Sequence, residues 1–142
     1  MITPACEILL TPAPLEPPPP QFTAGAGGVV DFYGVVRGSE EGEAISGIDY
    51  EAHADMARHQ LETLGHEACE RFALHSLILH HRTGFIPTAT PSLFLRVSAA
   101  HRGAAFEAAE WLIVELKRRV PIWKHPLSQD TGAEVHSRAS LP

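Results

Sequence analysis

Two lysines near the C-terminus are the side chains best suited to chemistry. They stand in the segment ELKRRVPIWKHP, where Lys117 and Lys124 lie seven residues apart. Lys117 falls in the last turn of a predicted helix, where a cation stabilises the helix dipole and needs no further explanation. Pro121 ends that helix, so we expect Lys124 in an extended segment beside Trp123. An ammonium group against an apolar wall loses hydration, which lowers its pKa toward the range useful for proton transfer. The segment is therefore either a solvated helix end or a paired-lysine site.

A second group of cations could bind an anion. His101 and Arg102 stand where a predicted strand ends and a helix begins. Unpaired backbone N–H groups and the positive end of the helix dipole favour an anion at such a junction, and an arginine can bind phosphate through two parallel hydrogen bonds. Arg37 follows a predicted strand, directly before a glycine-containing loop. Each of these side chains could also be an ordinary solvated surface residue.

Metal-dependent and serine-type chemistry find little support. The chain has nine histidines, but His80 and His81 are adjacent in a predicted strand and point to opposite faces. His59 and His66 are seven residues apart and are not accompanied by a ligand set of suitable spacing. There is no GxSxG sequence around a serine. We therefore expect no metal and no serine nucleophile.

Length and charge narrow the class of protein. The 142 residues are expected to form one domain, 1–142, with enough apolar side chains for a core. A formal net charge of -6 argues against a nucleic-acid or membrane-surface binder. The two cysteines show no CxxC spacing, and no apolar run approaches the ~20 residues of a membrane span. We expect reduced thiols and a cytoplasmic protein.

Hydrophobic patterning predicts five main strands, two helices and a short final strand, which is an α+β fold. The first helix should begin near Asp55 as its N-cap, and the second should run over 102–119 with Phe106 in the core. A proline-rich segment, 11–21, is predicted to be a surface connection, and 126–142 a polar tail. Periodicity does not separate a ferredoxin-like sandwich from a related twisted sheet. The predicted strands are 6–10, 27–38, 45–53, 74–81, 92–100 and 122–124.

Four sequence blocks together resemble one protein family. GGVVDFYGVVRG, IDYEAH, LHHRTG and VSAAHRGAAFEAAEWLIVELKRRVPIWK, within residues 27–124, are similar in order and spacing to the large catalytic subunit of molybdopterin synthase, the MoaE family. The resemblance implies a mostly antiparallel α+β fold of the α/β-hammerhead type with two main helices. It also implies a homodimer in which each copy binds one small ubiquitin-like subunit, giving a heterotetramer.

The resemblance further implies a sulfur-transfer reaction without a bound cofactor. The small partner's C-terminal Gly-Gly thiocarboxylate would deliver sulfur to cyclic pyranopterin monophosphate (precursor Z), forming the dithiolene of molybdopterin. Lys117 would be the principal general acid or base, or a transient nucleophile on the partner's carbonyl, and Lys124 would stabilise negative charge. The substrate-binding positions of the family correspond here to Arg37, His101, Arg102, Arg119 and Arg138.

The sequence departs from the family pattern just after the second lysine. The family often has a basic residue and a glutamate there, whereas Lys124 is followed by His125 and Pro126, so a carboxylate that could orient the lysine is missing at that position. A non-catalytic paralogue that still binds a ubiquitin-like partner is the alternative this departure suggests. A phosphate-binding domain without a partner would account only for the junction at His101 and Arg102.

Overall fold

The computed structural model describes residues 4–135, so Arg138 lies outside the described part of the chain. The elements in order are β1 (Ala5–Thr11), β2 (Gly28–Val35), β3 (Ser39–Glu40), β4 (Glu43–Ala52), α1 (Ala54–Arg71), β5 (Ser76–Arg82), β6 (Gly84–Pro87), β7 (Pro91–Ala99), α2 (Arg102–Arg119) and β8 (Ile122–Ser128). Neither helix has the length and hydropathy of a membrane span within these residues. The α+β class with two main helices is confirmed.

The larger sheet has the strand order β1-β5-β7-β2 and carries both helices. Strands β1 and β5 are parallel, while the other pairings are antiparallel. Apolar residues on α1 and α2 pack against alternate residues of β5 and β7 to form the main core. Fully buried members of this core include Leu61, Leu64, Leu77, Leu79, Leu95, Val97 and Leu112.

The smaller sheet has β4 at its centre, with β6 and β8 hydrogen-bonded on either side and β3 pairing with its first residues. A second apolar cluster lies on one face of this sheet. Strand β8 is longer than predicted and continues through the fully buried Pro126 to Ser128. The polar tail predicted from residue 126 onward was therefore wrong for the beginning of that segment.

Two short strands were not predicted. Strand β3 forms a tight hairpin with β4 inside the glycine-containing loop that follows Arg37, and its two turn residues, Glu41 and Gly42, both have positive φ. Strand β6 has four residues, including Pro87, which is too few for a periodic pattern. Both strands are fixed by pairing with β4 rather than by their own composition.

The helices begin and end close to the predicted residues, with two differences. His53, not Asp55, is the N-cap of α1, and Asp55 lies in its first turn. Phe106 was predicted to be buried but is 61% exposed, because Ala105 and Ala108 occupy the core-facing side of α2. As predicted, α2 ends before Pro121, where Val120 takes extended backbone angles.

The proline-rich segment runs over the face of the larger sheet that does not carry the helices. Arg96 of β7 anchors it by donating a hydrogen bond of 2.8 Å to the carbonyl oxygen of Pro18. The same guanidinium forms two hydrogen bonds, of 2.7 and 2.9 Å, with the carboxylate of Asp31 on β2. Arg82 of β5 forms a second attachment, because its Nε donates a hydrogen bond of 3.3 Å to the carbonyl oxygen of Pro12. The segment is a surface connection that is attached to the sheet at both places.

Candidate functional site

Lys124 projects from the apolar face of the smaller sheet. In the β4–β8 pairing it lies directly opposite Tyr50, and the next pair on the same face is Ile48 with the buried Pro126. The lysine is half-buried. Burial lowers the pKa of Lys124, as predicted for an ammonium group against an apolar wall. The carboxylate of Glu40 opposes that effect.

Two more cations act on Lys124 and lower its pKa further by charge repulsion. They are Lys117, in the last turn of α2, and Arg37, beyond the end of β2. Pro121 permits this arrangement because it ends the helix and directs the chain back along β4. The sequence contains two lysines in total, and the fold brings both to one place.

Two buried aromatic side chains complete the wall behind Lys124. The His81 ring lies edge-on to Tyr50, with ring centroids 5.4 Å apart. Burial lowers the pKa of His81 to about 4, although a 2.8 Å hydrogen bond from Nδ1 to the carbonyl oxygen of Arg82 works in the other direction. Burial also raises the pKa of Tyr50, partly offset by a hydrogen bond with Ser92. Both rings are therefore neutral near pH 7.

This role of His81 was not predicted, because His80 and His81 stand out in the sequence only as potential metal ligands. Their opposite orientation was predicted correctly. His80 turns to the other side of β5 and bonds Glu7 through Nε2 at 2.6 Å, whereas His81 faces Tyr50. The alternating apolar residues of β5 could have predicted it, because they imply that one of two adjacent histidines in the strand faces the core.

His101 and Arg102 lie at the opposite end of α2. Arg102 begins the helix and Lys117 lies in its last turn, so at 1.5 Å per residue they are separated by about 22 Å. Both His101 and Arg102 are exposed, and the helix starts with no side-chain cap and no acidic residue in its first turn. Within one chain, the predicted cluster of Arg37 with His101 and Arg102 is therefore not formed.

Arg119 is not brought to the lysines either. Its guanidinium forms ion pairs of 2.7 Å with Glu67 of α1 and with Glu115 of its own helix. It also lies over the Trp111 ring, 5.6 Å from the ring centroid. These contacts join α1 to α2 and give Arg119 a structural role in the chain. Arg138, the remaining predicted residue, lies outside residues 4–135.

No cluster of three or more potential metal-binding side chains occurs among the described residues. Two cavities of about 330 and 440 Å³ are not lined by Arg37, Lys117 or Lys124, although Tyr50 lines the first. Arg37 and Lys117 are exposed and Lys124 is half-buried, so the cations lie at the surface. Together, the fold and the site define an α+β protein with a surface cation group, backed by neutral aromatic side chains, that can receive an anionic group.

Comparison with known proteins identifies the family. The sequence model of the family described as "MoaE protein" matches residues 16–119, so the chain belongs to the MoaE family. The chain is 35% identical over 120 residues to a molybdopterin synthase catalytic subunit from Pyrococcus abyssi, covering 84% of this chain and 81% of the relative. The predicted family and enzyme class are confirmed. The matched range includes Lys117 and ends before Lys124.

Solved structures agree with this assignment. Molybdopterin synthase from Staphylococcus aureus superposes with a TM-score of 0.76 at 28% identity, covering 92% of this chain and 96% of that chain. A complex of subunits 1 and 2 of the molybdopterin-converting factor from Helicobacter pylori superposes with a TM-score of 0.67 at 19% identity, covering 94% and 91%. The second similarity concerns the fold alone.

Proposed function

We propose that this chain transfers sulfur as the catalytic subunit of a molybdopterin synthase. The observation that carries the proposal is the convergence of the two lysines beside Arg37, with Lys124 held against an apolar wall. The sulfur donor is the C-terminal thiocarboxylate of a small ubiquitin-like subunit, and the acceptor is cyclic pyranopterin monophosphate. Both are anions, and the cation group offers each of them a favourable place.

Each lysine has a separate role. The thiocarboxylate sulfur forms a bond to a substrate carbon, from which an oxygen leaves with a proton. Water then cleaves the bond between sulfur and the tail's carbonyl carbon, so that the tail ends as a carboxylate and the sulfur stays on the product. Lys117 supplies and removes the protons of these steps. Lys124 stabilises the thiocarboxylate and the oxyanion formed when water adds.

The anion-binding residues are assembled from two copies of the chain. His101 and Arg102 lie about 22 Å from Lys117 along α2, too far to share one small ligand within a protomer. A two-fold homodimer can place these residues of one copy beside the lysines of the other, giving two equal sites. Exposed apolar side chains on α2, Phe106 and Val114, offer contact area for such pairing.

Mixing two impaired variants, assayed at a pterin concentration well below KM, tests the shared site. Lys117→Ala and Arg102→Ala each damage a different half of it. In a mixed dimer, one site carries both substitutions and the other carries neither. Equal mixing with subunit exchange should restore roughly a quarter of the parental activity, because half of the dimers are mixed and each has one intact site. No recovery, with exchange verified by mass spectrometry, would show that both halves must come from one chain.

The small subunit is the proposed partner. The solved complex from Helicobacter pylori contains two subunits of a molybdopterin-converting factor, which supports a two-subunit assembly here. The open cation group suits a thiocarboxylate tail that arrives on another protein, because the arriving chain would exclude water from it. No nucleic acid and no membrane is required for this reaction.

We also place the reaction in the cytoplasm. Cys6 and Cys69 are free thiols, and a hydrogen bond joins their side chains. Neighbouring thiols that stay unpaired suit a reducing compartment. Iodoacetamide labelling of both cysteines in freshly lysed cells would support this location, and a disulfide between them would contradict it.

Turnover with purified components tests the function itself. The chain is mixed with a thiocarboxylated small subunit and precursor Z, and molybdopterin is measured as its fluorescent oxidation product. The parent chain should form product, while Lys117→Ala should lose at least a hundredfold in rate. If Lys117→Ala turns over like the parent, the catalytic assignment is wrong. If the parent binds the small subunit without making product, the chain is the non-catalytic paralogue.

A further inference from the structure

The hairpin formed by β3 and β4 carries a carboxylate toward the cation group. Glu40 ends β3 and pairs with Glu43 across a two-residue turn, yet the two side chains differ in environment. The Glu40 side chain is only 10% exposed, whereas Glu43 is exposed. Glu40 is therefore enclosed although its cross-strand neighbour is solvated.

The enclosed carboxylate faces the cations of the candidate site. Its Oε2 lies 3.8 Å from a terminal nitrogen of Arg37, whose own side chain is 81% exposed. It also acts electrostatically on Lys124 and on Tyr50, the pair that lie opposite each other in β4 and β8. Glu40 is therefore close enough to the lysine to interact with it electrostatically.

Strand β8 itself provides no carboxylate for Lys124, because the seven residues of IWKHPLS include no acid. Glu51 and Glu134 bond the two ring nitrogens of His125 on the other face, each at 2.9 Å. Among the groups that act on Lys124 in the described structure, Glu40 is the one that favours its charged form.

We propose that Glu40 is a positioning residue for the reaction: its carboxylate keeps the Lys124 ammonium protonated and restrains Arg37 beside it. Three cations close together repel one another, and a half-buried ammonium relieves that repulsion by losing its proton. One carboxylate among them removes much of this tendency. The proposal rests on the proposed function, in which Lys124 acts as a cation toward the thiocarboxylate.

The pKa of Lys124 depends on all the groups that face it. Lys117 from α2 and Arg37 beyond β2 lower the pKa of Lys124, and Glu40 from β3 raises it. His81 from β5 feels the charge of Lys124 but is buried and neutral near pH 7, as is Tyr50 of β4. Glu40 is the negative charge in this set, so its removal should lower the pKa of Lys124 more than removal of any other charged side chain on β3 or β4.

The two lysines of the chain permit a direct measurement. Protein labelled with carbon-13 at the lysine ε position gives two lysine signals by NMR, and Lys117→Arg assigns them. In Glu40→Gln the Lys124 signal should titrate at lower pH than in the parent. Glu40→Asp, which keeps a carboxylate, should return it toward the parental position. Glu43→Gln, the matched control on the same hairpin, should leave it in place.

Activity provides a second readout. In Glu40→Gln the high-pH limb of kcat/KM should move to lower pH, with a loss of about tenfold at pH 9 and a smaller one at pH 7.

A Lys124 titration that is the same in Glu40→Gln and the parent overturns the proposal, whatever happens to the rate. A shifted titration in a parent chain that binds the small subunit but makes no molybdopterin supports Glu40 and refutes the proposed function instead. If Glu40→Gln does not fold, Glu40→Asp is measured in its place. Its shorter carboxylate should stabilise the charged form of Lys124 less than Glu40 does, so Lys124 should titrate at a somewhat lower pH than in the parent.

Discussion

Tyr50 and Lys124 lie directly opposite each other on β4 and β8, on the face that packs into the second apolar cluster. This pairing determines the environment of the lysine. Residues alternate between faces along a strand, so Trp123 and His125 point to the other side while Lys124 crosses an apolar wall. A lysine one position earlier or later would be a solvated surface residue. The depressed pKa of Lys124 thus follows from register.

Replacing Lys124 should separate stability from activity. Lys124→Met keeps an unbranched side chain of similar length and removes a charge that burial disfavours. We expect the variant to be as stable as the parent or up to about 1 kcal/mol more stable, with molybdopterin formation lost. Urea denaturation and single-turnover assays measure the two effects. A less stable variant would mean that the ammonium contributes to folding, contrary to the burial argument.

Arg102 should affect substrate binding more than the rate of the chemical step. An arginine at a helix N-terminus offers hydrogen bonds and charge to an anion in the ground state and the transition state alike. Arg102→Ala should therefore raise KM for the pterin substrate about tenfold while changing kcat little. Arg58→Ala, on the exposed first part of α1 beside Asp55, serves as the control and should leave KM unchanged. An equal effect of both substitutions would indicate general electrostatic attraction only.

The buried His81 should make the protein less stable in acid. Its pKa is about 4 in the folded chain and 6.5 in the reference state, so the unfolded chain binds the proton first as pH falls. The free energy of unfolding should decrease by about 3 kcal/mol between pH 6.5 and 4 on account of this residue.

Two variants separate His81 from other titrating groups. His81→Phe should be less stable at pH 7, because the hydrogen bond to the Arg82 carbonyl is lost, but should show a flatter stability curve over this pH range. In contrast, Glu51 and then Glu134 raise the pKa of His125, so its stabilising contribution is present in acid and is lost as pH rises through that raised value. His125→Gln should therefore retain the loss of stability between pH 6.5 and 4. A parental curve in His81→Phe would assign that loss to another group.

Sequence patterns predicted the parts of the fold that have strong local signals. The two helices and the longer strands follow apolar periodicity, and Pro121 set the break between Lys117 and Lys124. Strand β3 was missed because its pairing with β4 depends on a tight turn inside a polar segment. Glu40 was missed for the same reason, since the enclosure of its side chain depends on the hairpin and on tertiary contacts that the segment EEGE does not reveal.

The grouping of the cations could be predicted only in part. The two lysines meet because a short extended segment follows directly after the helix. His101 and Arg102 were grouped with Arg37 by resemblance, although 15 residues of helix separate Arg102 from Lys117. A family motif records residues that meet in an assembly, and it does not record which copy supplies each one. Arg119 forms an ion pair with Glu67 on α1, a partner that no local sequence pattern indicates.

The junction at the start of α2 depends on Gly28. A Cβ atom at this position would lie 2.8 Å from both the backbone nitrogen and Cα of Arg102, and 2.9 Å from the carbonyl carbon of His101. Backbone atoms at that distance have to move, so Gly28→Ala should shift the helix N-terminus and cost roughly 1–3 kcal/mol of stability. It should also weaken pterin binding, because His101 and Arg102 move with the helix.

Gly103→Ala is the matched control, since a Cβ there meets nothing within 4 Å and alanine favours the helix. Thermal denaturation and the KM for the pterin measure both effects. A Gly28→Ala chain with parental stability and parental KM would show that strand and helix separate without cost, and that Gly28 does not hold the junction.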